Sequence, residues 1–262
     1  PVSSPPPGTP LLNLSLECLR SRLRTLFSAA APPTSATSAL SASTNLLLLL
    51  LFLAVDVVCA LLILLFLSER CFLRRLRLRR TTTLISEAEF RNFFCLLVAA
   101  GNDTTRYSIA AGIQALCHQP ELLGQMQAGG DVWDTAPDEI IRWATPALYF
   151  RRTALSDYEI HGKTIKAGDK VLYWFASGNR DETVFDDPFR VDLARTPNKH
   201  VSFGQGGPHV CLGMWLARLE VRILFQELSK RIVKVEATAP HTFLRSNFVA
   251  GIKSLPVRVT VK

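Results

Sequence analysis

The chain has 262 residues, of which 48% are hydrophobic, and this is enough for one large domain or two small ones. The formal net charge is +8, but much of the positive charge lies in residues 20–24 and 70–80, in the N-terminal third, rather than in a groove that could hold nucleic acid. The six cysteines show no C-x-x-C spacing, which argues against a disulfide framework and favours a reducing compartment.

The N-terminal third contains two segments of different predicted character. Residues 1–44 are rich in Pro, Ser and Ala and are predicted to be disordered. Residues 46–67 form an almost unbroken apolar run of about the length that spans a bilayer as a helix. Asp56 within this run costs about 2.5–3.5 kcal/mol, but each Leu or Phe returns about 0.3–0.6 kcal/mol, so the sum favours insertion.

An arginine cluster follows the apolar run, between Arg70 and Arg80, and the positive-inside rule then places the C-terminal side in the cytoplasm. Residues 45–83 are therefore predicted to form a single-pass transmembrane helix with an Arg-rich flank. A buried core helix and the apolar part of a secretion signal are the alternatives. A further hypothesis is that residues 1–83 are not native, since their Leu, Arg, Ser, Pro and Ala bias would also arise from GC-rich DNA read in the wrong frame. The folded domain would then be cytoplasmic.

A folded domain is predicted over residues 84–262, beginning with a long helix. Ser86 and Glu89 have the spacing of a capping box, so a helix should begin there. Apolar residues then recur at helical spacing until His118 and Pro120 stop the run after around thirty residues. A helix of that length is unusual in an ordinary globular domain.

The rest of the domain is predicted to contain two further helices separated by short strands. Residues 134–137 open a helix that carries Glu139 and Arg142, since proline suits a first turn. Residues 152–174 alternate in polarity and break at Gly162 and Gly168, as short strands do. Residues 212–232 form a last amphipathic helix. The predicted fold class is mainly α with small β-sheets.

Cys211 lies in a glycine-rich loop, residues 203–213, that leads into this last helix. Alone, such a cysteine is more often a small buried residue beside a turn. A tight glycine loop at a helix N-terminus nevertheless supplies the donors and the shielding that a heme thiolate needs. Zinc binding by His209 and Cys211 lacks two further ligands at a recognisable spacing, and a phosphate loop lacks the Lys-Ser/Thr pair.

Several motifs stand upstream of this loop in a characteristic order: residues 100–105, 139–142, 150–154, 179–181 and 187–190. With the cysteine loop, they resemble the C-terminal half of a cytochrome P450 of the bacterial type. The loop is one residue longer than the commonest family pattern. The longer loop and the motifs at residues 245–248 and 251–253 resemble those of the actinobacterial branch of the family. Members of that branch oxidise sterol side chains and methyl-branched lipids.

The resemblance implies a heme site built around Cys211, which would be the proximal thiolate ligand of the iron. Phe203 would pack against the sulfur side of the heme, and Gly206 and Gly213 would let the backbone approach it. His209 matches one contact to a heme propionate.

Arg152 matches the other propionate contact, although an arginine at the start of a strand is more often simply solvated. Asp103 and Thr104 match the acid-alcohol pair that delivers protons for dioxygen activation, on a helix kinked near Gly101. Without the other motifs, this pair would be an ordinary polar patch.

Glu139 and Arg142 match a buried pair that a later arginine completes, with Arg190 or Arg180 as the candidate. In the family, this cluster of a glutamate and two arginines has a structural role, because it holds the proximal loop around the heme. A local ion pair at the surface is the alternative for Glu139 and Arg142.

The implied function is that of a heme-thiolate monooxygenase which hydroxylates C–H bonds with O2. The cofactor would be heme b, and electrons would come from NAD(P)H through a ferredoxin or reductase-type donor. The substrate would be a hydrophobic small molecule of sterol or lipid type, and no nucleic acid would be bound. Two alternatives remain: an inactive, membrane-tethered heme-binding pseudoenzyme, and a membrane protein without heme.

Overall fold

The computed structural model describes residues 86–204 and 206–262. The predicted disordered segment, residues 1–44, and the predicted transmembrane segment, residues 45–83, lie outside the described residues. Within the described part of the chain, no helix combines the length and the apolar character that a membrane crossing requires. The described residues form helices with four small sheets, which confirms the mainly α fold class.

Helix α1 runs from Glu87 to His118, so the predicted long helix is confirmed at both ends. The capping box is present: the Glu89 N–H donates to Ser86 Oγ, and the Ser86 N–H donates to Glu89 Oε2 at 2.7 Å. The C-terminal half of α1 is buried around Ile109 and Leu116, whereas its N-terminal half leaves Leu96 exposed. The second half of α1 is therefore the part that belongs to the core.

Two shorter helices follow, α2 from Glu121 to Ala128 and α3 from Val132 to Ala144. The predicted start of α3 at residues 134–137 is wrong by two residues, and Pro137 lies inside the helix. The first turn is already closed before the proline, because the Trp133 N–H donates to Gly130 O and the Asp134 N–H to Asp131 O. Thr145, with φ of +46°, ends α3 in the left-handed region.

Two antiparallel strand pairs follow α3. Strand β1 (Tyr149–Thr153) pairs with β4 (Lys170–Trp174), and β2 (Tyr158–Ile160) pairs with β3 (Lys163–Ile165). Gly162 and Gly168 have φ of +72° and +90°, so the predicted breaks fall where the backbone turns through a region that glycine tolerates best. The short helix α4 (Phe175–Gly178) comes directly after β4.

The last helix, α5, runs from Met214 to Arg231, two residues later than predicted at its start. Strand β5 (Ile232–Ala237) then pairs with β8 (Val257–Val261), and β6 (Thr242–Phe243) pairs with β7 (Ile252–Ser254). The core lies where α1, α3 and α5 pack together. Gly112 of α1 lies so close to the Phe225 ring of α5 that a Cβ atom would overlap it.

Candidate functional site

The cysteine loop folds back so that Cys211 returns to Phe203. The Cys211 N–H donates to Phe203 O at 2.9 Å, and the Gly204 N–H donates to Val201 O at 2.9 Å. Gly204 and Gly206 have φ of +67° and +96°, which side-chain-bearing residues rarely adopt. The two glycines therefore allow the reversal that brings the sulfur to the N-terminal end of α5.

The surroundings of Cys211 fit a heme. The Cys211 thiol is unpaired and exposed, and a Cβ atom on Gly206 or Gly213 would meet open space. Leu212 and Trp215, on the same stretch, remain 82% and 71% exposed. A helix N-terminus favours an anionic sulfur, and large uncovered apolar side chains mark a surface built for an apolar ligand or partner. Cys211 is thus the residue that would hold the iron of a heme.

Contacts between aromatic rings connect β4 to this loop. The Arg152 guanidinium lies over the Tyr173 ring at 5.3 Å, and Tyr173 contacts Phe175 with ring centroids 5.4 Å apart. The Phe175 ring and the His209 carbonyl oxygen approach the same face of Gly204, at 3.9 and 3.8 Å from where its Cβ atom would lie. The predicted propionate contacts, Arg152 and His209, are therefore both linked to the cysteine loop. Their binding of propionate stays a prediction.

The predicted proton-delivery pair lies on α1. Asp103 is exposed and Thr104 is half-buried. The Thr104 hydroxyl donates to Ala100 O at 2.6 Å, and α1 continues through Gly101 without interruption. A hydroxyl that bonds to the carbonyl four residues earlier often bends a helix. The role of both residues in proton delivery stays a prediction.

Glu139 and Arg142 form a fully buried pair rather than a surface ion pair. Arg142 Nε and Nη2 donate to the two carboxylate oxygens of Glu139 at 2.7 and 2.8 Å. The remaining donors reach the backbone carbonyls of Asn179, Pro188 and Arg190. All five guanidinium N–H groups thus have acceptors, which is the condition for a buried arginine to be tolerated.

The third member of this cluster is Arg195, and the prediction of Arg190 is wrong. Arg195 Nε donates to Glu139 at 3.1 and 3.2 Å, whereas the Arg190 side chain pairs with Glu121 at the surface. Arg180, the other candidate, donates to Trp143 O at 2.7 Å. Only the carbonyl of Arg190 faces the cluster.

The sequence does contain a signal for Arg195, because buried and exposed residues alternate in the loop segment 191–195. Val191, Leu193 and Arg195 are buried, whereas Asp192 and Ala194 are exposed. This period of two places Arg195 on the inward side, together with the apolar residues. Arg190 lies one residue outside the alternating stretch.

The sequence motifs gave no role to three further polar side chains, of which Asn179 is buried and Asp138 and Glu220 are partly buried. Asn179 donates to Thr145 Oγ1 and Ser202 Oγ and accepts the Val201 N–H at 2.7 Å, so it joins the end of α3 to the start of the cysteine loop. Asp138 contacts residues on both sides of that loop. Glu220 of α5 is held in a poorly solvated position, and burial raises its pKa to about 7. The 179–181 motif was the only signal for any of them.

Comparisons of this sequence with known proteins point to the same family as the sequence motifs. The family model described as Cytochrome P450 matches residues 134–258. The chain is 48% identical to the methyl-branched lipid omega-hydroxylase of Mycobacterium tuberculosis over 174 residues, covering 66% of this chain and 41% of that protein. It is 41% identical to the steroid C26-monooxygenase of Mycobacterium bovis, covering 67% of this chain and 40% of that protein.

Solved structures give the same assignment. CYP108D1 from Novosphingobium aromaticivorans superposes with a TM-score of 0.64 at 36% identity, covering 68% of this chain and 43% of that one. The chain spans about two fifths of the length of the curated relatives named above. The matched region contains the buried Glu139–Arg142 pair and the cysteine loop. The C-terminal portion of this chain therefore belongs to the bacterial cytochrome P450 family.

Proposed function

We propose that the chain is part of a heme-thiolate monooxygenase that hydroxylates C–H bonds with O2 and two electrons from a redox partner. The observation that carries this proposal is the exposed, unpaired Cys211 at the end of a hydrogen-bonded glycine loop and at the start of α5. Heme b bound through this sulfur would supply the chemistry of O–O bond cleavage, which thiolate donation favours.

The residues around Cys211 have separate tasks in this proposal. Arg152 and His209 bind the propionates, since each can present a donor or a positive charge to a carboxylate. Phe203, which is buried, packs on the sulfur side of the heme. The Glu139–Arg142–Arg195 cluster fixes the segment that leads into the loop.

Asp103 and Thr104 move protons. The exposed Asp103 carboxylate faces solvent, and the half-buried Thr104 hydroxyl can accept one hydrogen bond while it donates another. Its bond to Ala100 O keeps the hydroxyl close to the helix axis. This arrangement supports passage of a proton from solvent at Asp103 toward Thr104.

We further propose a hydrophobic substrate of sterol or methyl-branched lipid type. The names of two relatives, a methyl-branched lipid omega-hydroxylase and a steroid C26-monooxygenase, support this class. A cluster of partly exposed aromatic rings also supports it: Phe150 contacts both Phe175 and Phe248, and Tyr149 contacts Trp174. Electrons come from NAD(P)H through a ferredoxin or reductase-type donor.

Single-pass membrane attachment, with the C-terminal domain in the cytoplasm, is also part of the proposal. It is supported by the apolar run at residues 46–67 and by the arginines that follow. Protease digestion of sealed, right-side-out vesicles tests it. The C-terminal domain should be protected until the vesicles are opened, and digestion from outside would refute this topology.

A second candidate function is heme binding without turnover. It is favoured by the exposure of the large apolar side chains Leu212 and Trp215 beside the thiol. In that case Cys211 would bind heme, but no substrate would be hydroxylated. Product formation with an added ferredoxin, its reductase and NADPH separates the two functions.

The experiment that tests heme binding is a carbon monoxide difference spectrum. The chain is expressed with added heme, reduced and exposed to carbon monoxide, and the red-shifted Soret band of a thiolate-ligated ferrous carbonyl is expected. Cys211→Ala should abolish the band, whereas Cys95→Ala, which removes another exposed cysteine, should keep it. A band that is absent from the unmodified chain, or that survives Cys211→Ala, would overturn the proposal.

A further inference from the structure

We propose that Asp138 is a positioning residue that holds the two ends of the cysteine loop together and thereby sets the position of Cys211. This inference rests on the proposed function in one respect: the proposed function is what gives the loop the task of presenting a thiolate. Asp138 itself does not touch the loop's sulfur. It acts through His200, which precedes the loop, and Arg218, which follows it.

A single carboxylate oxygen makes both contacts. Asp138 Oδ1 lies 2.8 Å from His200 Nε2 and 2.8 Å from Arg218 Nε. His200 stands three residues before Phe203, and Arg218 stands seven residues after Cys211 in α5. Because Asp138 belongs to α3, one side chain of a buried helix connects the entrance and the exit of the loop.

Among the described residues, this contact is the only hydrogen bond that the His200 ring makes. Its side chain is 1% exposed, and its Nδ1 has no hydrogen-bond partner among the described residues. A carboxylate can only accept, so Nε2 must carry the proton that bonds to Asp138. The charge on Asp138 is secure, since burial alone would raise its pKa but hydrogen bonds from His200 and Arg218 bring the pKa below its ordinary value.

Both partners of Asp138 then hold Phe203. The His200 and Phe203 rings have centroids 5.5 Å apart, and the Arg218 guanidinium lies 4.9 Å from the centroid of the same ring. The Phe203 carbonyl accepts the Cys211 N–H. Displacement of His200 and Arg218 would therefore free the ring and, through it, the backbone bond that holds Cys211.

Asp138 has a different task from its neighbour Glu139. Glu139 binds Arg142, Arg195 and the backbone of Asp192, so it fixes the segment before residue 199. Asp138 binds residues 200 and 218 instead. The two adjacent carboxylates of α3 therefore hold successive segments: Glu139 holds the segment before residue 199, and Asp138 holds the two ends of the cysteine loop. Of the two, only Asp138 bridges the loop.

The test compares Asp138→Asn with Asp134→Asn in the full chain. Asp134 is the matched control, because it also links α3 to α5, through Arg222 at 3.3 Å, but at the solvent-exposed surface. The first readout is hydrogen exchange of the Cys211 amide, which needs no heme. Loss of a charged hydrogen bond predicts an increase of about tenfold or more in the exchange rate for Asp138→Asn, with none for Asp134→Asn.

The second readout is the carbon monoxide spectrum with added heme. Asp138→Asn should convert part of the ferrous carbonyl to a form without the thiolate signature, whereas Asp134→Asn should not. Failure of the proposed function would leave even the unmodified chain without a thiolate band, but the exchange result would still stand.

Arg218→Gln guards against a variant that does not fold, since this side chain is partly exposed. It should raise Cys211 amide exchange in the same direction while the amide of Leu116, in the core of α1, stays protected. Unchanged Cys211 exchange in both variants would overturn the proposal. Equal loss of protection at Cys211 and Leu116 would also overturn it, because Asp138 would then serve the fold as a whole.

Discussion

Replacing Arg195 with Met should destabilise the protein far more than replacing Arg190 with Met. Arg195 is 9% exposed, and its guanidinium donates to Glu139, to Asp186 O at 2.8 Å and to Asp187 O at 3.4 Å. Removal of one partner from a buried ion pair costs about 3–5 kcal/mol. We expect the lower end, about 3 kcal/mol, because other donors still cover the Glu139 carboxylate.

These other donors are Arg142, the Asn198 side chain and the Asp192 N–H. With a total stability of about 5–15 kcal/mol for a typical domain, a loss of 3 kcal/mol is a fifth to three fifths of the whole. Arg190→Met removes only a solvent-exposed pair with Glu121, so the midpoint of unfolding should stay within error.

Urea unfolding followed by helical circular dichroism measures both variants against the unmodified chain. The two substitutions are chemically identical and stand five residues apart, so they differ mainly in the burial of the side chain that is lost. A lower midpoint for Arg190→Met than for Arg195→Met would refute the placement of Arg195 in the buried cluster.

Three further predictions concern other parts of the domain. Gly112→Ala should destabilise the protein by about 1–3 kcal/mol, because the added methyl group overlaps the Phe225 ring, and thermal unfolding measures the loss. Ser86→Ala should cost the start of α1 about 1 kcal/mol by removing the cap, which faster exchange of the Glu89 amide would report. Stability should fall by up to about 3 kcal/mol between pH 4.5 and 7, because the folded-state pKa of Glu220 is raised to about 7 and the proton that favours the folded state is lost over that range. Glu220→Gln should flatten this part of the pH profile.

Each of these predictions has an internal comparison. Gly124→Ala adds a methyl group in open space on α2, so it should not reproduce the loss seen for Gly112→Ala. Ser86→Asp keeps a capping acceptor and should retain protection of the Glu89 amide. An unchanged pH profile in Glu220→Gln would contradict the poorly solvated position of Glu220.

Local patterns in the sequence were sufficient to predict several elements. Ser86 and Glu89 predicted the start of α1 because a capping box requires only residues three apart. Gly162 and Gly168 predicted turns because the positive φ they adopt is a local property. The tight glycine loop around Cys211 is a local feature too, since the Cys211 N–H donates to Phe203 O and the Gly204 N–H donates to Val201 O. In each of these features, the residues that interact are close together in the sequence.

Only the tertiary structure decided which distant side chains meet. Arg195 rather than Arg190 reaches Glu139, 56 positions away, because the intervening loop turns one arginine inward and leaves the other at the surface. Asp138 meets residues 62 and 80 positions away, and no spacing rule covers such a separation. The sequence by itself determined helices α1, α3 and α5, the turns at Gly162 and Gly168 and the family of the C-terminal portion, whereas α2 and α4 were not predicted. Packing decided which residues pair with the buried charges. A buried charged group that lacks hydrogen-bond partners costs free energy, so the charges that become buried are those whose hydrogen bonds are satisfied.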